Sequence, residues 1–163
     1  MTVLSRIMWS ASVVIVTAVM SPTLAPAQQS LVQKIAGTWT LKDAREEFQD
    51  GHTKTPFITG QAMFDVNWHF IYFLVGKDRA KPSGGDLRAP VGPLVAFYGN
   101  YTANETDSTL LYNIEYASTT LLEGMKGRVW TISFNGDVMR IVATTLQTPE
   151  GPMTPVNEWT RAK

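Results

Sequence analysis

The sequence predicts an all-β protein, an antiparallel eight-stranded up-and-down β-barrel preceded by one short helix. Two observations carry that expectation. From residue 38 onward, short runs rich in branched and aromatic residues recur, each closed by turn residues at the spacing of an antiparallel meander. Helical signals are confined to one stretch before the first run. A sheet with one face too apolar for water, and too little helix to cover it, has to curl on itself or pair with a second sheet. Closure into a barrel also removes the exposed edges.

The chain opens with the pattern of a secretory signal peptide. Arg6 supplies positive charge, Ile7 to Met20 form an apolar run, and Ala25-Pro26-Ala27 places small residues where a signal peptidase reads. The run is shorter than the roughly 20 residues a spanning helix needs, and Pro22 and Pro26 interrupt the segment after it. The expectation is cleavage after Ala27, an exported protein in the periplasm or outside the cell, and no stable membrane span afterwards.

Removing 27 of the 163 residues leaves 136, residues 28–163, which is one domain by length and large enough to bury most of its apolar surface. Arg6 is the only charge lost, so 13 basic and 14 acidic residues remain, a formal net charge of −1 that gives no reason to expect nucleic acid. Cysteine is absent, which excludes thiol chemistry, a disulfide, and lipidation at a new N-terminus. Stability must come from core packing.

The elements run in order from there. Ser30 to Ala36 can form one helical turn or two, with Leu31, Val32 and Ile35 on a common face and Gly37 ending it. The first strand is Thr38 to Phe48, closed by Gln49-Asp50-Gly51-His52, whose Asp-Gly pair suits a tight hairpin. Gly60 to Phe64 and Trp68 to Val75 form the next pair, and Leu94 to Thr102 the fourth strand. Asn104 to Ser108 is a polar turn before Thr109 to Tyr116. Gly127 to Phe134 and Val138 to Thr144 are joined through Asn135-Gly136, and Val156 to Arg161 ends the chain. Between the third and fourth strands, Gly76 to Pro93 is a long Gly- and Pro-rich loop, of the kind that serves as a lid, a binding loop or a plain connection. A shorter Pro-rich turn runs from Gln147 to Pro155.

Successive residues of a strand point to opposite faces. Leu110, Tyr112, Ile114 and Tyr116 therefore share one mostly apolar face, and Arg128, Trp130, Ile132 and Phe134 another, opposed by Val129, Thr131 and Ser133.

Four segments resemble known proteins. Gly37-Thr38-Trp39, after a short helix and opening the first strand, resembles the Gly-x-Trp signature of the lipocalin and calycin superfamily, and Trp159-Thr160-Arg161 resembles its closing strand. The resemblance implies that Trp39 lies across the closed bottom of the barrel with Arg161 packed over its ring as a cation on a π face. Ala96-Phe97-Tyr98-Gly99-Asn100-Tyr101, taken with Gly127-Arg128, resembles the bacterial and fungal lipocalin-like domain family. Related sequences often carry a His in the strand after the Tyr-rich one, where this chain has Tyr112, so a role resting on imidazole there does not carry over.

Metal chemistry has no basis in the residues, because His52 and His69 are the only histidines and no cluster has ligand spacing. No Gly-x-Ser-x-Gly elbow marks a nucleophile, and Gly84-Gly85 lacks the strand-turn-helix context of a phosphate loop. No cofactor is expected. There remains an aromatic set, Tyr72, Phe97, Tyr101, Tyr112 and Trp130, which could line a cavity or fill the barrel as core. Arg128 shares a face with Trp130 and needs a partner, either Glu115 or Glu123 near the rim or an acceptor on a bound molecule.

The residues support three readings. The first is a binding module that holds a small hydrophobic or amphipathic ligand in the barrel, anchored by Arg128 and tyrosine hydroxyls. The second, implied by the resemblance, is an isomerase or cyclase acting on a hydrophobic substrate, for which Asp65, Glu115, His69 and the tyrosines are the titratable candidates. The third is a structural or interaction domain of the cell envelope that uses its outer surface or the Gly76 to Pro93 loop.

Overall fold

The computed structural model describes residues 29–77, 79 and 92–163. The signal-peptide pattern lies outside the described residues, as does most of the loop expected from Gly76 to Pro93.

The helix α1 spans Leu31–Ile35 and begins with a capping box, in which the Ser30 hydroxyl accepts from the Gln33 N–H and the Gln33 side chain accepts from the Ser30 N–H. Leu31 and Ile35, one turn apart, are buried. Ten strands come after it: β1 Gly37–Phe48, β2 Thr53–Lys54, β3 Phe57–Phe64, β4 His69–Gly76, β5 Leu94–Asn104, β6 Thr109–Ala117, β7 Arg128–Asn135, β8 Val138–Ala143, β9 Leu146–Thr148 and β10 Gly151–Arg161. Every pairing is antiparallel, and the order β1-β3-β4-β5-β6-β7-β8-β10 returns to β1 through a β1–β10 ladder. Eight strands thus close a barrel, as the sequence predicts, while β2 and β9 are short additions to β1 and β10.

Three departures from the sequence-based expectation have local causes. β10 begins at Gly151 and not at Val156, although Pro152 and Pro155 stand within it. Pro155 pairs with Glu46 of β1 on one side, and falls between the β9 and β8 ladders on the other, so its missing N–H interrupts little. β3 begins at Phe57 because it pairs with β4 up to Gly76, past a register shift between Phe57 and Thr59. Tyr116 does not share the inner face of Tyr112 and Ile114. A bulge opposite Tyr98 and Gly99 leaves Glu115 unmatched, and Tyr116 turns outward against Tyr98, with ring centroids 5.7 Å apart.

The two ends of the barrel differ. Tight turns connect strands at the end where Trp39 sits, and α1 lies across that end. Trp39 Nε1 donates to the Ile35 carbonyl over 2.7 Å, and the Glu105 carboxylate of the β5–β6 turn accepts from the Leu31 N–H at 2.7 and 2.8 Å. Arg161 stacks over the Trp39 ring at 4.4 Å and donates to the Ala36 and Lys34 carbonyls at 2.8 and 2.6 Å, so Trp39 and Arg161 stand as the resemblance implies. Gly37 permits this closure: its φ is 123°, and a Cβ there would lie 2.9 Å from Arg161 Nη1. At the opposite end the connections are longer. Here β1 pairs with β3 only from Gly37 to Thr40, and its far half is paired with β2 over two residues.

Candidate functional site

The interior is solid at the closed end and hollow toward the open one. Phe64, Phe70, Tyr101 and Trp130 pack edge to face near the closed half, with centroids from 5.2 to 6.1 Å apart. Above them lies a cavity of about 150 Å³ with a mostly apolar wall. Tyr72, Phe97, Tyr112, Trp130 and Arg128 all line it. Tyr101 does not: its hydroxyl donates to the Asp65 carbonyl over 2.7 Å at the closed end, beside Trp68, so it belongs to the floor of the barrel.

Strand register explains this meeting. Tyr72 of β4 stands opposite Phe97 of β5 and stacks on it at 4.9 Å. Tyr112 of β6 stands opposite Arg128 of β7, and its ring stacks on Trp130 at 4.0 Å. The β6–β7 connection folds over the opening and brings Leu122 and Met125 into the wall, held where the Met125 carbonyl accepts from the Ile114 N–H over 2.8 Å.

The polar groups of the wall are mainly donors. Asn157 Nδ2 donates to the Tyr72 hydroxyl over 2.7 Å, which leaves the Tyr72 hydrogen free to donate in turn. Burial pushes the Tyr72 hydroxyl pKa well up, and the neighbouring Tyr112 adds to that. Burial also raises Tyr112, partly offset by the neighbouring Arg128 guanidinium and Trp130 indole. Both tyrosines therefore remain protonated near neutral pH.

Arg128 Nη2 donates to the Thr144 carbonyl over 3.1 Å. Neither carboxylate expected for it at the rim is its partner. Glu115 accepts from Asn100 on the outer face, and among the described residues no ion pair joins Arg128 to Glu123 or any other acid.

Sequence reasoning missed several members of the wall, among them Asn157 and Glu46. Asn157 is a buried polar side chain with the same parity as Trp159 in the last strand, and that shared parity is the signal that could have found it. Glu46 is half-buried, and its carboxyl pKa is raised by burial, lowered by Lys54 and raised again by Glu150. The other titratable candidates lie elsewhere. Asp65 and His69 form an exposed turn at the closed end, where the Asp65 carboxylate accepts from the His69 and Asn67 N–H groups at 2.8 Å. Those bonds, His69 first, hold Asp65 below the ordinary carboxylate range. Within the cavity, a proton acceptor would have to be Glu46, the carboxylate that lines it among the described residues.

Fold and interior together define a lipocalin-like barrel, closed at one end by a helix and a Trp–Arg pair and hollow at the other. No protein-family model and no curated protein matches the sequence. Among solved structures, the chain is similar to a lipocalin-like protein from Bacteroides uniformis ATCC 8492 at 15% identity, over 79% of this chain and 99% of that one, with a TM-score of 0.45. An uncharacterized protein from Bacteroides eggerthii DSM 20697 is similar at 15% identity, over 78% and 99% of the two chains, with a TM-score of 0.43.

Proposed function

We propose that this protein is an exported binding protein that holds a small apolar or amphipathic molecule inside its barrel. The observation that supports this reading is the cavity itself: about 150 Å³ of space among aromatic and aliphatic side chains, with Arg128 and two tyrosine hydroxyls set into its wall. Ligand sites have that composition, an apolar enclosure with a few placed polar groups that fix orientation. Export rests on the Arg6, Ile7 to Met20 and Ala25-Pro26-Ala27 pattern.

Native mass spectrometry of the protein purified from its own host's envelope tests both parts. The expected result is a mature chain starting at Gln28 that carries a small organic molecule. Ala143 lines the cavity opposite Trp130, so Ala143→Phe fills the space and should abolish that adduct. A ligand retained undiminished by the filled variant would overturn the cavity as the site. An unprocessed chain would overturn export.

A further inference from the structure

We propose that the cavity selects a monocyclic aromatic monocarboxylate, its ring among the Tyr72, Phe97 and Trp130 rings and its carboxylate on the Arg128 guanidinium. The proposal rests on the binding reading above and adds size, charge and shape to it.

Size comes from volume. An apolar cavity of roughly 150 Å³ takes up a benzene-sized molecule, whereas drug-sized ligands occupy about 300 Å³ or more. At about 150 Å³, this cavity has room for one ring and a short substituent, and a long acyl chain or a fused ring system would not be enclosed.

Shape comes from the wall. Tyr72 and Phe97 stack on one another, as do Tyr112 and Trp130, and Tyr72 and Trp130 bridge the two pairs at 5.4 Å. A flat ring has edge-to-face and offset partners on such a surface that an aliphatic ring lacks.

Charge comes from Arg128. Its guanidinium lines the cavity, gives one bond to the Thr144 carbonyl, and has no carboxylate partner among the described residues. A planar fork of N–H donors matches a carboxylate bidentately. Tyr112 lines the cavity and its hydroxyl donates to no acceptor among the described residues, and the Tyr72 hydrogen is likewise free. The ligand has to supply those acceptors. Glu46, on the wall with Lys54 nearby, sets the upper limit of charge: a dianion would place a second negative charge in the same small space.

Calorimetric titration of the purified protein with benzoate, phenylacetate, benzamide, phenyl phosphate and decanoate tests each term. Benzoate or phenylacetate should bind about 10-fold or more tighter than benzamide, the scale of a charge-assisted hydrogen bond. Phenyl phosphate and decanoate should bind more weakly than either. Arg128→Gln should remove the advantage of the carboxylate over benzamide, and the circular dichroism spectrum and thermal melt of the variant report that it is folded. Arg128→Lys, which keeps the charge and loses the fork, should fall between. Equal binding of the acid and the amide, or carboxylate binding unaltered by Arg128→Gln, would remove the charge assignment while the cavity reading stands. A preference for decanoate would remove the size assignment. Failure of all five probes would overturn the proposal, and the envelope-purified adduct would still decide the broader reading.

Discussion

Asn157 and Tyr72, 85 positions apart, meet inside the barrel through a single bond of 2.7 Å from the amide to the phenol oxygen. Tyr72 is also packed at 5.0 Å against Trp159, two residues beyond Asn157 on the same strand. Removing one partner leaves a buried polar group unsatisfied, a cost of about 1–3 kcal/mol. Asn157→Ala and Tyr72→Phe should each lower the unfolding free energy by that order, and the double variant by less than the sum. Denaturant titration of the four proteins measures the difference.

Arg161 combines three contacts at the closed end: the Trp39 face and the carbonyls of Ala36 and Lys34. Arg161→Met should destabilise the fold by about 2 kcal/mol, from one cation–π contact and two charge-assisted bonds discounted for exposure. Arg161→Lys should recover only a fraction, because an ammonium lacks the planar fork that spans both carbonyls while covering the ring. Thermal melting distinguishes the two substitutions.

Gly99 faces the β6 bulge, where a Cβ would lie 1.9 Å from the Asn113 carbonyl oxygen. Backbone cannot yield as a side-chain end can. Gly99→Ala should cost about 3 kcal/mol, at the severe end of overpacking, and should expose the β5–β6 amides to faster hydrogen exchange.

Alkaline pH should loosen the barrel through its tyrosines. Tyr101 is raised from 10.0 to about 12, by burial first and then by the Asp65 charge, and Tyr72 and Tyr112 shift in the same direction. The native state therefore holds these protons more tightly than the unfolded chain. Their stabilising contribution is complete below pH 10.0 and is lost as pH rises through about 12 for Tyr101. Phenolate absorbance should show a late-titrating class, and Tyr101→Phe should remove one member of it and the bond to the Asp65 carbonyl.

The strands of the barrel were legible because alternation and turn chemistry agree along most of them, as from His69 to Gly76 and from Arg128 to Ile132. The pair at the closed end could be anticipated from Gly37-x-Trp39 and a late Arg161. Features that depend on a partner strand could not be read. Prolines at 152 and 155 mark a turn by composition, yet they fit a strand whose neighbours change beside them. The Glu115 bulge reverses Tyr116 only because of how β5 meets β6. Tyr101 has the right parity for the interior but the wrong height for the cavity, and height along a barrel depends on the stagger of all eight strands. Asn157 and Glu46 were hidden for the same reason, since each becomes part of the wall only once β10 has closed on β1.

That ladder joins the two ends of the described chain: Arg161 reaches the carbonyl of Ala36, 125 residues earlier. A polypeptide made from its N-terminus must hold β1 without this partner until β10 has been synthesised. Contacts of such separation form late and slow the search for the native state. Meanwhile β1 presents an unpaired edge, and its outward Lys42, Asp43, Arg45 and Glu47 place charges of both signs there. Those charges oppose pairing with a neighbouring nascent chain during the interval before closure.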